Sequence, residues 1–474
     1  MADTKKTTSP SSPSSSSDTA TKTRKKTSSK TGTAKSKSTS SKATSAKKSS
    51  TTRAKKPKAL TKTTRQIGLS LGADICWPLC YEGILERLNP VIEWEGEEVR
   101  VEVERVTMEP FKLSQPCKYD VVLDRLTHWY PTTREWIKKA ILMDDLYVLN
   151  NPWSIQSMEK HTTYAAMMEL GMPVPRTWMI PPKDYEHHPD LRRTLKSYAR
   201  LFDLRKIGED LGYPLVMKPY DGGGWRGVSM IRNEEDLRAR YEESGTQVMH
   251  LQEAIDPFDS FVRCIGLGPQ THMVRYDPDA PLHNRYTMDR DFVSDEEASL
   301  LRDTTLTINA FFGFEFNSCE AMRSNGTWHP IDFANACPDS QVTSLHYHFP
   351  WLVIANLKWS LFCAVTDRKM RKTPDWEPFY AIAAEDLPYR EKLRRYAALA
   401  EEIFETKKFE EFCNTALKDL DQIAWEFFGT GEARDAFREK VADLYPPHEI
   451  EPFTELFWNR VQAWRADNKP TKEK

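Results

Sequence analysis

A lysine followed by a run of glycines is the first chemical signal in this sequence. In YPLVMKPYDGGGWRGVSMIR, Tyr213 to Arg232, the apolar Leu215, Val216 and Met217 lead to Lys218, and Gly222, Gly223, Gly224 and Gly227 follow. An ammonium group binds phosphate as a compact point charge, and glycine lets backbone N–H donors approach phosphate oxygens that a Cβ would hold away. The second signal is acidic. In FGFEFNSCEAMRSNGTWHPIDFANACPD, Phe312 to Asp339, Glu320 and Asp332 stand on either side of an Asn325-Gly326 turn signal. Magnesium takes hard oxygen ligands, and carboxylates on adjacent strands can bridge it to a triphosphate.

Several phosphate-binding loops are excluded by what surrounds the glycines. Gly222, Gly224 and Gly227 satisfy GxGxxG, but a dinucleotide fold needs a helix directly after the loop, and Val228 to Ile231 reads as a strand. Gly222 and Gly227 have Walker spacing and Ser229 fits the Ser/Thr position, yet Val228 stands where the Lys belongs. A protein kinase places its lysine after the glycine loop, and the sequence has no HRD or DFG signature. What remains is a lysine-bearing strand, a glycine hairpin and a second strand, with Asn233 capping the next helix. An ordinary glycine-rich hairpin is the plain alternative.

Turn parity decides whether the two acids cooperate. A two-residue Asn-Gly turn pairs Cys319 with Asp332 and sends Glu320 to the opposite face. A three-residue loop, Ser324-Asn325-Gly326, pairs Arg323 with Thr327 and puts both carboxylates on one face. The bulged three-residue loop is the expectation.

The elements that must carry these residues follow a βα pattern. Ile67 to Gly72, Val99 to Val106, Tyr119 to Leu126 and Asp145 to Pro152 read as strands, and Tyr81 to Leu88 and Thr133 to Met143 as helices. Alternation of this kind predicts a small, mostly parallel α/β domain. Arg125 and His128 lie just past a strand's carboxyl end, where such sheets bind ligands, and are substrate candidates. A helix from about Ser154 carries Lys160 and ends at Gly171, with Pro173 and Pro175 beyond it. After Leu345 the chain reads as helical and aromatic, including a buried helix at Phe349 to Val365 that is too interrupted by Asn356 and Lys358 to span a bilayer.

Charge is divided unevenly along the 474 residues. Up to Arg65 there are 18 Lys/Arg and two Asp/Glu; beyond it, 49 and 67. The first 65 residues are mostly Ser, Thr, Lys, Ala and Pro and lack core-forming side chains, which predicts a disordered tail. Such a tail is a contact for nucleic acid or another polyanion, or a solvated, solubilising segment, with a transit peptide the weaker third reading because its charge is mostly Lys rather than Arg. The eight cysteines form no CxxC pair, which argues against a zinc site and for reduced thiols in a cytoplasmic protein.

A lysine closing the strand before a glycine hairpin, preceded by the Lys160 helix and a PVP turn, resembles the ATP-grasp superfamily. The resemblance covers residues 66–345 through ordered, spaced features. It implies an α/β fold: an N-terminal α/β domain over 66–152, ATP-grasp lobes over 153–345 and a helical extension over 346–474. It also implies that Lys160 and Lys218 are the two nucleotide lysines beneath the Gly222, Gly223, Gly224 and Gly227 hairpin. VMHLQEAIDPFDSFVRCIGLG, Val248 to Gly268, resembles the family's hinge, with Gln252, Glu253 and Ile255 at the adenine edge and Asp259 on the ribose. Arg275 or Arg285 would meet the phosphates or an acyl phosphate. Glu320, Asp332 and Asn335 would hold Mg2+, although Asp332 lies three residues before Asn335 where the family has two. The implied activity joins a small-molecule or peptide carboxylate to an amine through an acyl phosphate, releasing ADP and phosphate. A binding protein that holds ATP without turnover, tethered by its tail, is the alternative.

Overall fold

Three sheets and a set of C-terminal helices make up the protein in the computed structural model, which describes residues 61–127, 129–155, 160–198, 200–220, 226–335 and 337–470. The expected tail, His128 and Gly222 to Gly224 lie outside the described residues, apart from positions 61–65. The first sheet has the order β2-β3-β1-β4-β5. It contains β1 (Thr61–Ser70), β2 (Val91–Trp94), β3 (Glu97–Arg105), β4 (Val121–Asp124) and β5 (Tyr147–Leu149). β1 runs parallel to β3 and β4, and β4 to β5; β2 alone is antiparallel, joined to β3 through Glu95 and Gly96 at φ 49° and 86°.

The tail boundary moves. Thr61 to Arg65 are the first half of β1 rather than the end of a disordered segment. They have no apolar side chains to bury, but they pair in register with Glu97 to Val101, and charge complements the ladder. Lys62 Nζ meets Glu98 at 3.0 Å, and Arg65 Nη1 meets Asp120 at 2.9 Å.

The second sheet, β6-β9-β7-β8, is antiparallel: β6 (Thr177–Ile180), β7 (Leu215–Pro219), β8 (Ser229–Ile231) and β9 (Met249–Glu253). It is backed by the helices Leu204–Leu211 and Glu234–Glu243, the latter capped by Asn233, whose side chain accepts from Asp236 N–H. Its small apolar core, including Ile180, Leu215, Met217, Leu237 and Leu251, is separate from that of the rest of the chain. Gly227, at φ +72°, closes the far side of the lysine hairpin, where a Cβ would fall 2.9 Å from the Pro219 ring.

The third sheet has the order β11-β10-β12-β13, with β10 (Ser260–Leu267), β11 (Gln270–Arg275), β12 (Phe316–Ser324) and β13 (Thr327–Asp332), all antiparallel. One face is covered by the helix Asp295–Phe312, which begins in a capping box of Ser294 and Glu297. Gly266 sits beneath it, facing Asn309 and Thr305.

The C-terminal helices are not an appendage. Phe349–Val365 is buried nearly throughout and lies against β1, β3 and β4, and its apolar residues belong to one continuous core with the first and third sheets. Trp359 sits at the centre, fully buried, with its ring against Phe362, Phe404 and Phe409. Gly268, in the β10–β11 turn at φ +55°, leaves room for that indole. Burying large apolar side chains contributes about 1.5–3 kcal/mol each, so this one helix ties the first and third sheets and the extension together. Among the described residues, no helix is long and apolar enough to cross a membrane.

Candidate functional site

The two acidic strands meet at an Asn325-Gly326 turn, with φ 49° and 74° and Ser324 paired directly with Thr327. This is the two-residue turn and not the expected three-residue loop. Parity alone would then separate Glu320 from Asp332. A bulge within the ladder reverses that outcome: Ala321 pairs with Pro330 and Glu320 with Asp332, leaving Ile331 as the extra residue. Proline has no N–H for the ladder and is tolerated at edges and bulges, and β13 is an edge strand. Both carboxylates therefore share a face, by a different route from the expected one. The same bulge frees the Ile331 carbonyl, which accepts from Lys218 Nζ at 3.0 Å and from the Tyr164 hydroxyl.

From the other side come the two lysines. Lys160 opens the helix Lys160–Glu169, and its Nζ donates to Asp332 Oδ2 at 2.9 Å. Lys218, near the end of β7, donates to Gln252 Oε1 at 3.2 Å as well as to Ile331. Sheets two and three thus face each other across a cluster of buried charges.

The cluster has a member that sequence reading missed. Arg263 pairs directly with Glu320 in the β10–β12 register, so Arg263, Glu320 and Asp332 lie on one face, and its Nη2 donates to Glu320. The rings of Tyr276 and Tyr286 flank the guanidinium, each centroid 5.2 Å from Cζ, and Tyr286 accepts from Nη1. The signal was present in the strand: a lone charged residue in FVRCIGL, alternating with Phe261 and Ile265, must be paired where the strand is buried.

Electrostatics follow from burial. Burial pushes the Lys218 ammonium down to about 8, with Asp332 opposing and Lys160 adding to the shift. Burial raises the Glu320 carboxyl, and Arg263 only partly offsets this. Burial also acts upward on Asp332, but Lys160 and Lys218 outweigh it and hold the group below its usual range. The glutamate is the harder acid to ionise and the aspartate the easier.

Other expected residues lie as follows. Gln252 is buried on β9 and also donates to Thr177 Oγ1 at 3.1 Å; Glu253 pairs with Arg176 at 3.1 Å, and Ile255 is half-buried beyond it. Asp259 is bound by Arg323 Nε at 2.7 Å, and Arg323 also meets Glu297 at 2.5 Å. Asn335 donates to the Ser318 carbonyl at 3.2 Å, two residues along β12 from Glu320, and Asn317 holds its backbone N–H at 2.7 Å. Arg275 is not brought to the cluster. It pairs with Val262 in the ladder, which places it on the face away from Glu320, and it bonds Asp289 at 2.7 Å. Arg285 bonds the Ala280 carbonyl at 3.1 Å and Tyr276 at 3.4 Å, beside the tyrosines rather than the acids.

The donor set fits a small hard cation. Among the described residues no group of three or more His, Cys, Asp or Glu forms a full cage. Two carboxylates in register suit Mg2+, which keeps several waters and shares the rest of its shell with phosphate.

Arg125 acts as a clamp. Its Nε bonds Asp74 at 3.2 Å and its Nη2 the Pro338 carbonyl at 2.8 Å, with arginine and aspartate both buried; Gln341 donates to the other Asp74 oxygen at 3.2 Å. The end of the first sheet is thereby tied to the segment that follows Asn335.

No family model matches the sequence. A 2-oxoglutarate carboxylase small subunit from Hydrogenobacter thermophilus is 40% identical over 42 residues, and the match spans 9% of each chain. Among solved structures, a D-alanine–D-alanine ligase from Bacillus anthracis in complex with ATP aligns over 64% of this chain and 99% of its own, at 13% identity and a TM-score of 0.43. The VanG D-Ala:D-Ser ligase from Enterococcus faecalis aligns over 65% and 99%, at 15% and 0.42. A RimK domain ATP-grasp protein from Sphaerobacter thermophilus aligns over 63% and 99%, at 13% and 0.42.

The clamp is testable through stability. Arg125→Met leaves Asp74 buried without its main partner and is expected to cost about 3–5 kcal/mol in urea unfolding. A loss below about 1 kcal/mol, the scale of an exposed pair, would contradict the clamp.

Proposed function

We propose that this ATP-grasp-like chain is an ATP-dependent ligase that joins a carboxylate to an amine and releases ADP and phosphate. The observation that carries the reading is the meeting of Lys160, on its helix, and Lys218, on β7, with the Glu320 and Asp332 strands, with Lys160 Nζ 2.9 Å from Asp332 and Lys218 Nζ 3.0 Å from the Ile331 carbonyl. Cations beside paired carboxylates, in a sequence where a glycine run follows Lys218, suit a magnesium triphosphate and few other ligands. Gln252, Glu253 and Ile255 would border the adenine, and Asp259 the ribose. Gly222, Gly223, Gly224 and Gly227 would cover the phosphates, and Glu320, Asp332 and Asn335 would hold Mg2+. Bound there, Mg2+ would supply charge neutralisation to the phosphates.

A carboxylate is a poor electrophile until it acquires a leaving group. An oxygen of the acid attacks the γ-phosphorus, the bond to the ADP oxygen breaks, and an acyl phosphate forms. The amine nitrogen then attacks the acyl carbon, phosphate leaves with the bonding electrons, and the nitrogen gives up a proton to water. Lys160 and Lys218 orient and neutralise the phosphates, and the buried walls exclude water that would hydrolyse the acyl phosphate. The acid is a small molecule or a peptide carboxylate.

Incubation with magnesium, ATP, pooled metabolite acids and hydroxylamine is expected to yield a hydroxamate together with ADP and phosphate. Asp332→Asn is expected to lower that yield at least about a hundredfold, the scale of losing one transition-state charge contact. Amine-dependent AMP and pyrophosphate would instead show adenylation and overturn the mechanism.

Lys218 sets a pH dependence. Its ammonium, pushed down to about 8 by burial, attracts phosphate when protonated. Nucleotide affinity of the free chain should therefore fall as pH rises through about 8, well below the ordinary lysine range. Lys218→Arg keeps its charge and should show no such limb in calorimetric titrations; an unchanged limb would assign it to another group.

A further inference from the structure

Both candidate metal carboxylates already have an organic counter-ion. Lys160 holds Asp332, and Arg263 holds Glu320. Side-chain exposure is 13% for Arg263 and 8% for Glu320, so the pair is shielded from solvent that would otherwise weaken it. Arg263 Nε is also buried without a hydrogen-bond partner, leaving one donor of a fixed five-donor fork unused. With Lys218, the cluster contains three basic groups against two acids.

Charge arithmetic constrains what can enter. A divalent cation on its own would add two charges to a cluster whose cations already outnumber its acids, and would compete with a guanidinium for the same carboxylate oxygens. A triphosphate on its own would find Lys160 and Arg263 engaged. Only both together supply new partners for every group: metal for the carboxylates and phosphate for the released cations.

We propose that Arg263 is the resident counter-ion of Glu320, displaced by the incoming divalent cation and passed to the nucleotide's phosphates. This rests on the nucleotide reading above, and it gives the phosphate-binding arginine a place in the β10 strand, rather than at Arg275 or Arg285. Tyr276 and Tyr286 hold the guanidinium over the same sheet face in either state, so the exchange requires a change of partner and little movement of the strand.

The test uses the full chain, with Mn2+ followed by electron paramagnetic resonance and the non-hydrolysable analogue AMP-PNP by calorimetry. Arg263→Met is expected to bind Mn2+ alone at least about tenfold more tightly than the unmodified chain, since Glu320 is freed. The same variant should bind AMP-PNP at saturating Mn2+ about tenfold more weakly, since a phosphate partner is lost. A purely structural arginine would not move the two affinities in opposite directions. Arg263→Gln, which keeps a donor for Glu320, should shift both the same way by less and serves if the methionine variant does not fold. In the unmodified chain, a tight Mn2+ site that needs Glu320 and no nucleotide would overturn the proposal without any arginine variant. Loss of AMP-PNP binding in the unmodified chain would sink the nucleotide reading itself. Normal AMP-PNP binding with unaltered Mn2+ affinity in the arginine variants would sink this inference alone.

Discussion

The burial of unlike charges between two sheets is the constraint on which the structure depends. Lys160, Lys218 and Glu320 are buried and Arg263 nearly so, while Asp332 keeps 24% of its side chain exposed, and a buried ion left unpaired costs several kcal/mol. Each element near the cluster serves that pairing. The Pro330 bulge turns Asp332 onto the face of Glu320 and presents the Ile331 carbonyl to Lys218. Tyr164, one turn along the helix from Lys160, reaches the same carbonyl. Apolar residues would make a simpler core here, and so much charge gathered in one place is what makes the cluster a candidate site.

The remainder of the chain divides according to what must stay rigid. The second sheet has its own core and meets the third through polar contacts, so Lys218 rides on a separable lobe, whereas the helix of Lys160 packs its Tyr164 and Met167 into the core of the third sheet. The third sheet shares a core with the first sheet and the C-terminal helices. The last helix, Ile450–Asp467, reaches the loop beyond β11, where Arg460 donates to the His283 carbonyl at 2.6 Å. That loop carries Tyr286, which flanks Arg263. The extension thereby helps hold the arginine over the acids, a role its sequence did not announce.

Much of the site was legible because its signals are local. Lys218 before a glycine run, Lys160 ahead of a proline-rich turn, and two acids around Asn-Gly are readable from residue type and spacing. What failed were judgements that depend on pairing. The turn length was misread because a glycine-containing loop fits either parity, and a proline-induced bulge inside the strand is not visible until the partner strand is known. Arg275 and Arg285 stood out as arginines near a strand end, whereas Arg263 lay inside an apolar strand; only the register shows that Arg263 faces Glu320 and Arg275 does not. The first strand began earlier than expected because Thr61 to Arg65 are held by charge pairing rather than apolar burial. Arg125 sat at a strand end that suits substrates, but Asp74 and the Pro338 carbonyl take its Nε and Nη2, leaving Nη1 buried without a partner.

The central claim is that a metal-bound triphosphate enters between the second and third sheets, at the carboxylates of β12 and β13. Crystals grown with Mn2+ and AMP-PNP test it directly through anomalous scattering. A Mn2+ peak is expected within about 2–2.5 Å of carboxylate oxygens of both Glu320 and Asp332. Lys160 is also expected to turn from Asp332 to phosphate. A nucleotide bound elsewhere, or a Mn2+ peak that leaves Glu320 with Arg263 and Asp332 with Lys160, would contradict the claim.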